Sequence, residues 1–137
     1  MDLIAWNDSM SVGMARVDDQ HKKLIAMINE LHSAMLEAKG TGVMGRLFED
    51  LAEYTATHFR TEEDLMDSYG YPAADTEYHK REHAMLVDQV GKLKARFAAG
   101  ELALSLEVMN FLRDWLTGHI MDTDAKLRPF FKEKGLS

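Results

Sequence analysis

The chain has no cysteine and only two prolines in 137 residues. The first absence excludes disulfides, thiolate metal ligands and iron–sulfur clusters, so any metal must be held through nitrogen and oxygen. The second leaves long stretches free to be helical, with Pro72 and Pro129 the strong breakers. No run of about 20 apolar residues occurs, which excludes a membrane-spanning helix. Basic residues are in deficit, 16 against 23 acidic ones, for a formal charge of −7. Such a chain is a poor partner for nucleic acid or an anionic membrane surface. The opening Met1-Asp2-Leu3-Ile4-Ala5-Trp6-Asn7-Asp8 lacks the basic and apolar regions of a secretory signal. Together these features predict a cytoplasmic protein. The length suits one domain spanning 1–137.

What is present is helical periodicity. Gly40-Thr41-Gly42, Tyr69-Gly70-Tyr71-Pro72 and Ala98-Ala99-Gly100 read as loops. Helices are expected roughly over 18–38, 43–67, 75–97 and 102–124. Asp75 suits the N-cap of the third, Gly40 and Gly70 suit helix C-termini, and Pro129 is expected to prevent continuation past the fourth. No alternating strand pattern competes. Short loops favour antiparallel neighbours, so the predicted fold is all-α: an antiparallel up-down four-helix bundle behind an N-terminal extended arm, residues 1–17.

Six histidines are present, and five fall on the apolar stripes. The first helix runs His21, Leu24, Ile28, Leu31, Met35. The second runs Leu47, Leu51, Tyr54, His58, Glu62, Leu65. The third runs His79, His83, Leu86, Val90, Leu93, Phe97, and the fourth Leu104, Val108, Leu112, Trp115, His119. Steps of three or four keep each set on one helix face. His21 lies early in its helix, His58 late, His79 and His83 early, His119 late. In an antiparallel bundle these levels coincide. Burying so many imidazoles with a carboxylate is costly without a partner, and a metal is an economical one. His32 flanks its stripe and is expected to be a partly exposed or locally hydrogen-bonded bystander.

Two other patterns compete. His79-Lys80-Arg81-Glu82-His83 matches the inverted zinc-protease motif H-x-x-E-H, with Glu82 as general base, but leaves His21, His58 and His119 unexplained. A ferritin-like di-iron site wants more carboxylates than this set offers.

The order Gln20-His21, His58-x-x-x-Glu62, His79-x-x-x-His83 and His119-x-x-x-x-Asp124 resembles the hemerythrin family, in particular its bacterial members. Trp6, Ser11-Val12-Gly13, Asp18, His58-Phe59, Tyr69-Gly70-Tyr71-Pro72 and Asp114-Trp115-Leu116 extend the resemblance along the chain. It implies two irons. His79, His83 and His119 would hold one and His21 and His58 the other, with Glu62 and Asp124 bridging both. The step from His119 to Asp124 is not a same-face step on an ideal α-helix; Asp122 is the nearby alternative, and the resemblance favours Asp124. With one bridging oxo or hydroxo oxygen, two six-coordinate irons keep one open position, which suits a small diatomic ligand. By resemblance that ligand is O₂, in a pocket of Leu24, Phe59, Trp115, Leu116 and Ile120. Leu127 departs from the family, where a tyrosine often follows the aspartate.

The function so implied is reversible O₂ binding for transport, storage or delivery, without catalysis. Two alternatives share the site. One is an oxygen- or redox-sensing module acting on a signalling partner, with the segment from Met1 to Val17 as its moving part. The other is di-iron consumption of peroxide or nitric oxide. A carrier would hand O₂ to an O₂-consuming protein.

Overall fold

A computed structural model of the protein describes residues 2–103 and 105–137. Leu104, expected to head the fourth apolar stripe, lies outside the described residues. Helices α1 (Ala15–Leu36), α2 (Thr41–Tyr69), α3 (Ala73–Ala98) and α4 (Leu106–Gly118) form the bundle, and a short α5 (Leu127–Glu133) follows. Among the described residues no helix is long and apolar enough to cross a membrane.

The helix ends show where local chemistry overrides periodicity. Helix α1 begins at Ala15, earlier than expected, because Asp18 in its first turn accepts hydrogen bonds from the Val12 backbone N–H (2.9 Å) and the Ser11 hydroxyl (2.5 Å). A carboxylate there also suits the positive end of the helix dipole. Its C-terminus is closed by Ala38, not Gly40. Ala38 takes the left-handed conformation at φ 52°, and the Lys39 N–H reaches back to the Ala34 carbonyl at 2.9 Å. Gly40 instead precedes α2 with extended backbone. Gly70 does close α2, at φ 74°. Asp75 is not the cap of α3; Pro72 precedes the helix and Asp75 lies in its first turn. Helix α4 starts at Leu106, not near 102, because the Ser105 hydroxyl accepts from the Val108 N–H and fixes the cap.

The largest departure is at the end of α4. The chain neither stops nor continues as α-helix. It widens into a π-helical turn, His119–Thr123, tightens through a 3₁₀ turn, Asp124–Lys126, and enters α5. Pro129 does not block this path, because it is the third residue of α5. A first-turn N–H has no partner within its own helix to lose.

The core is layered. Leu24, Ile28, Leu31, Phe48, Leu51, Met109 and Leu112 are fully buried in the larger apolar cluster. At about 1.5–3 kcal/mol for each large aliphatic side chain buried, this cluster is the main source of stability. A smaller cluster joins Val12, Val17, Leu65, Met66, Leu127, Phe130 and Phe131. Along α1 the order is Val17, His21, Leu24; along α2, Phe59, Glu62, Leu65; after α4, Ile120, Asp124, Leu127. A polar layer therefore lies between two dry ones. Leu127 is fully buried in the smaller cluster, so its effect is on packing beneath that layer.

The N-terminal arm is not simply extended. It contains a 3₁₀ turn, Asp8–Met10, capped by Asn7. Ile4, Met10 and Val12 are buried. The Ile4 N–H donates to Asn29 Oδ1 and the Asn29 amide donates back to the Ile4 carbonyl, both at 2.9 Å. Arg128 donates to the Ser11 carbonyl at the far end.

Candidate metal centre

Five elements deliver seven side chains to one point. His21 comes from α1, His58 and Glu62 from α2, His79 and His83 from α3, and His119 and Asp124 from the turns after α4. All seven are buried, none more than 4% exposed. The π turn explains the five-residue step that an α-helix forbids. Its backbone hydrogen bonds run i to i+5, and the Asp124 N–H indeed reaches the His119 carbonyl. His119 and Asp124 therefore share a face, while Asp122 is exposed.

The two carboxylates divide their oxygens between two sets of histidines. Glu62 Oε2 lies 3.2 Å from His21 Nε2 and 3.1 Å from His58 Nε2. Its Oε1 lies 3.0 Å from His83 Nε2, 3.4 Å from His79 Nε2 and 3.8 Å from His119 Nε2. Asp124 repeats the division: Oδ2 is 2.9 Å from His21 Nε2, and Oδ1 is 2.9 Å from His79 Nε2 and 3.0 Å from His119 Nε2. The result is two overlapping groups able to hold a cation. One comprises Glu62, His79, His83, His119 and Asp124; the other comprises His21, His58, Glu62 and Asp124.

Hydrogen bonding alone does not satisfy this layer. Both Asp124 oxygens, His58 Nε2 and His79 Nε2 are buried and lack an aligned hydrogen-bond partner among the described residues, despite neighbours near 3 Å. Unpaired buried polar atoms cost about 1–3 kcal/mol each. Donor atoms that converge without pairing fit a shared cation. Without a metal, protons take its place. Burial opposes charging His21 and His79, but Asp124 and Glu62 outweigh it and raise each to about 9. His119 is raised well above the ordinary value on the same balance. Burial pushes Glu62 upward and the His58 and other imidazole charges overturn that, leaving its carboxyl well below the usual range. Asp124 is also held low, against burial and the Glu62 charge, chiefly by His119.

A second ring of residues fixes the imidazoles. The Nδ1–H of His83 donates to Glu63 Oε2 at 2.8 Å, that of His119 to Glu82 Oε1 at 2.6 Å, and that of His58 to Gln20 Oε1 at 2.7 Å. Each bond puts the proton on Nδ1 and turns Nε2 inward. Glu82 also accepts from the Thr123 hydroxyl at 2.6 Å, bracing the π turn, and its carboxyl is held low mainly by the His119 hydrogen bond. Glu82 is thus engaged with His119 Nδ1, outside the cluster of Nε2 atoms, which removes the general-base role the H-x-x-E-H motif suggests. Periodicity overlooks Glu63 and Glu82 because each sits one residue off the buried stripe. Their adjacency to Glu62 and His83 was the available signal.

The five apolar residues named from sequence are all buried, between 0% for Leu24 and 7% for Trp115. Phe59 stacks on the His83 ring, centroids 3.9 Å apart and planes within 4°, and meets His119 edge-on at 5.2 Å. The Trp115 indole N–H donates to the Leu86 carbonyl at 3.2 Å. His32 stands apart from the cluster but is not the exposed or locally bonded ring expected. It is 8% exposed, and its Nδ1 has no hydrogen-bond partner among the described residues.

Known proteins share this plan. Residues 12–131 match the hemerythrin HHE cation-binding domain. A bacteriohemerythrin of Stenotrophomonas maltophilia (strain R551-3) is 36% identical over 124 residues, 90% of this chain and 78% of the relative. A bacteriohemerythrin of Methylococcus capsulatus is 36% identical over 132 residues, covering 94% and 97%. A crystal structure of wild-type hemerythrin superposes with a TM-score of 0.85 at 34% identity, covering 93% of this chain and 96% of the other. With nearly the whole length matched in sequence and in fold, this chain is a member of the hemerythrin family.

Proposed function

We propose that this protein holds two iron ions and binds O₂ reversibly, serving as a carrier, store or delivery protein and not as an enzyme. His79, His83 and His119 would hold one iron and His21 and His58 the other, with Glu62 and Asp124 placed to reach both. The observation that carries this reading is the division of carboxylate oxygens: Oε1 and Oδ1 face three histidines, Oε2 and Oδ2 face the other two. The second group has one residue fewer, so a metal held there would have room for a diatomic ligand. When bound, a pair of ferrous ions supplies the electrons that reversible O₂ binding requires.

The surrounding residues favour release of O₂ intact. Leu24, Leu116 and Ile120 are buried and would give an O₂ pocket aliphatic walls, and Phe59 covers the ring of His83. The Trp115 N–H is committed to Leu86 and is not free to donate a proton into the pocket. Excluding water and free acids slows the protonation that would consume bound oxygen.

The test is an optical cycle on iron-loaded protein. After anaerobic reduction, admitting O₂ should produce a visible charge-transfer band, and removing O₂ should abolish it repeatedly. A band that never forms, or that persists after O₂ is removed, overturns the reading. Sustained turnover of peroxide or nitric oxide with an electron donor would mark an enzyme instead.

A further inference from the structure

The histidines of the two metal positions are backed by chemically different groups. On the three-histidine side, two Nδ1–H groups point at carboxylates: His83 at Glu63 (2.8 Å) and His119 at Glu82 (2.6 Å). On the two-histidine side, His58 Nδ1 points at a neutral amide oxygen, Gln20 Oε1 (2.7 Å). The Gln20 amide cannot easily flip, because its NH₂ donates to Thr61 Oγ1 at 3.2 Å while the Thr61 hydroxyl donates to the Thr57 carbonyl. His21 Nδ1 is buried with no partner among the described residues. Charge therefore stands behind one position and not the other.

A carboxylate accepting from Nδ1–H raises electron density at Nε2 and strengthens it as a metal donor; a neutral amide orients the ring with far less effect. We infer that Glu63 and Glu82 are positioning residues that grade the two metal positions, making the three-histidine position the firm one, while Gln20 and the unbacked His21 keep the two-histidine position weak. This rests on the two-metal reading above but not on O₂. Ligand number alone would also rank the positions, so the charge of Glu63 and Glu82 must be tested by itself.

Gln substitutions do this. Glu63→Gln and Glu82→Gln keep shape and an acceptor oxygen but remove the charge. Both sites tolerate the change, since the Glu63 and Glu82 side chains are 30% and 17% exposed. Gln20→Glu makes the reverse change on the other side. The metal-free proteins would be titrated with Co(II) alone against a chelator of known affinity, with circular dichroism confirming the fold. The wild type should take two ions in two steps. Glu63→Gln and Glu82→Gln should each weaken the tighter step by roughly 10-fold or more, the range for loss of an outer-shell partner, and leave the weaker step within about twofold. Gln20→Glu should strengthen the weaker step. If the Gln variants leave the tighter step unchanged or weaken both steps alike, or if Gln20→Glu leaves the weaker step unmoved, the inference is overturned. A wild type that takes two ions with unaltered variants refutes this grading alone; a wild type that takes none refutes the metal centre with it.

Discussion

If the protein holds two irons as proposed, replacing Glu62 by Gln should cost it one of them. The Glu62 carboxylate has no oxygen to spare. Oε2 serves the His21–His58 side at 3.1–3.2 Å, and Oε1 serves the His79–His83–His119 side from 3.0 Å outward. An amide offers one oxygen and one NH₂, so whichever way it turns, one side loses a ligand. The side of four residues would fall to three, while the side of five can spare a ligand more easily. Occupancy should drop from two irons to one per chain. The loss converts to stability through linkage: a site saturated at about 100 times its Kd contributes about 2.7 kcal/mol. At about 2–4 °C per kcal/mol for a chain of this size class, the Tm gain on adding iron should shrink by roughly 5–11 °C. Iron analysis with calorimetry of loaded and metal-free protein reads both numbers, and the difference cancels any effect of the amide on the metal-free fold. Two irons at full occupancy with an undiminished gain would refute the bridging role.

Other outcomes follow from the same contacts. Phe59→Ala removes a 3% exposed ring stacked on His83 and should cost about 3–5 kcal/mol. It should also let the O₂-bound colour bleach irreversibly faster; a bleaching rate equal to wild type would contradict the pocket role. Asn29→Ala leaves both Ile4 backbone groups without their side-chain partner and should cost about 1–3 kcal/mol. Limited proteolysis should then cut the arm before the bundle, and an arm as resistant as wild type would show that the clamp is unimportant. In the metal-free protein, His21 and His79 stand at about 9 against an ordinary 6.5. Their raised values stabilise the fold fully below about pH 6.5, and that contribution is lost as pH rises through about 9. The metal-free Tm should therefore fall across this window while the gain on adding metal grows, because protons no longer compete for the ligands. A metal-free Tm that is flat from pH 6.5 to 9 would contradict the assignment.

The bundle and its polar layer were legible because burial imposes period. His21, His58, His79, His83 and His119 sit where Leu and Ile would otherwise sit, and their levels agree only in an antiparallel arrangement. Asp124 was not legible from period, since a five-residue step assumes a π turn and no residue type announces one. The resemblance, not the spacing, pointed to it. Asp75, Gly40 and Pro129 each carry a familiar local preference that the neighbouring residues override: Pro72 already caps α3, Ala38 already closes α1, and the 3₁₀ turn already brings Pro129 into a first helical turn. Glu63 and Glu82 lie off the buried stripe, and an Nδ1 partner is set by ring rotation across helices, which the order of residues along one helix does not encode.

The central claim is that two metal ions flank the Glu62 and Asp124 carboxylates. Anomalous scattering at the iron edge from crystals of iron-loaded protein tests it directly. Two peaks are predicted, one beside His79, His83 and His119 and one beside His21 and His58, with both carboxylates between them. A single peak, or iron held away from these residues, would contradict the account.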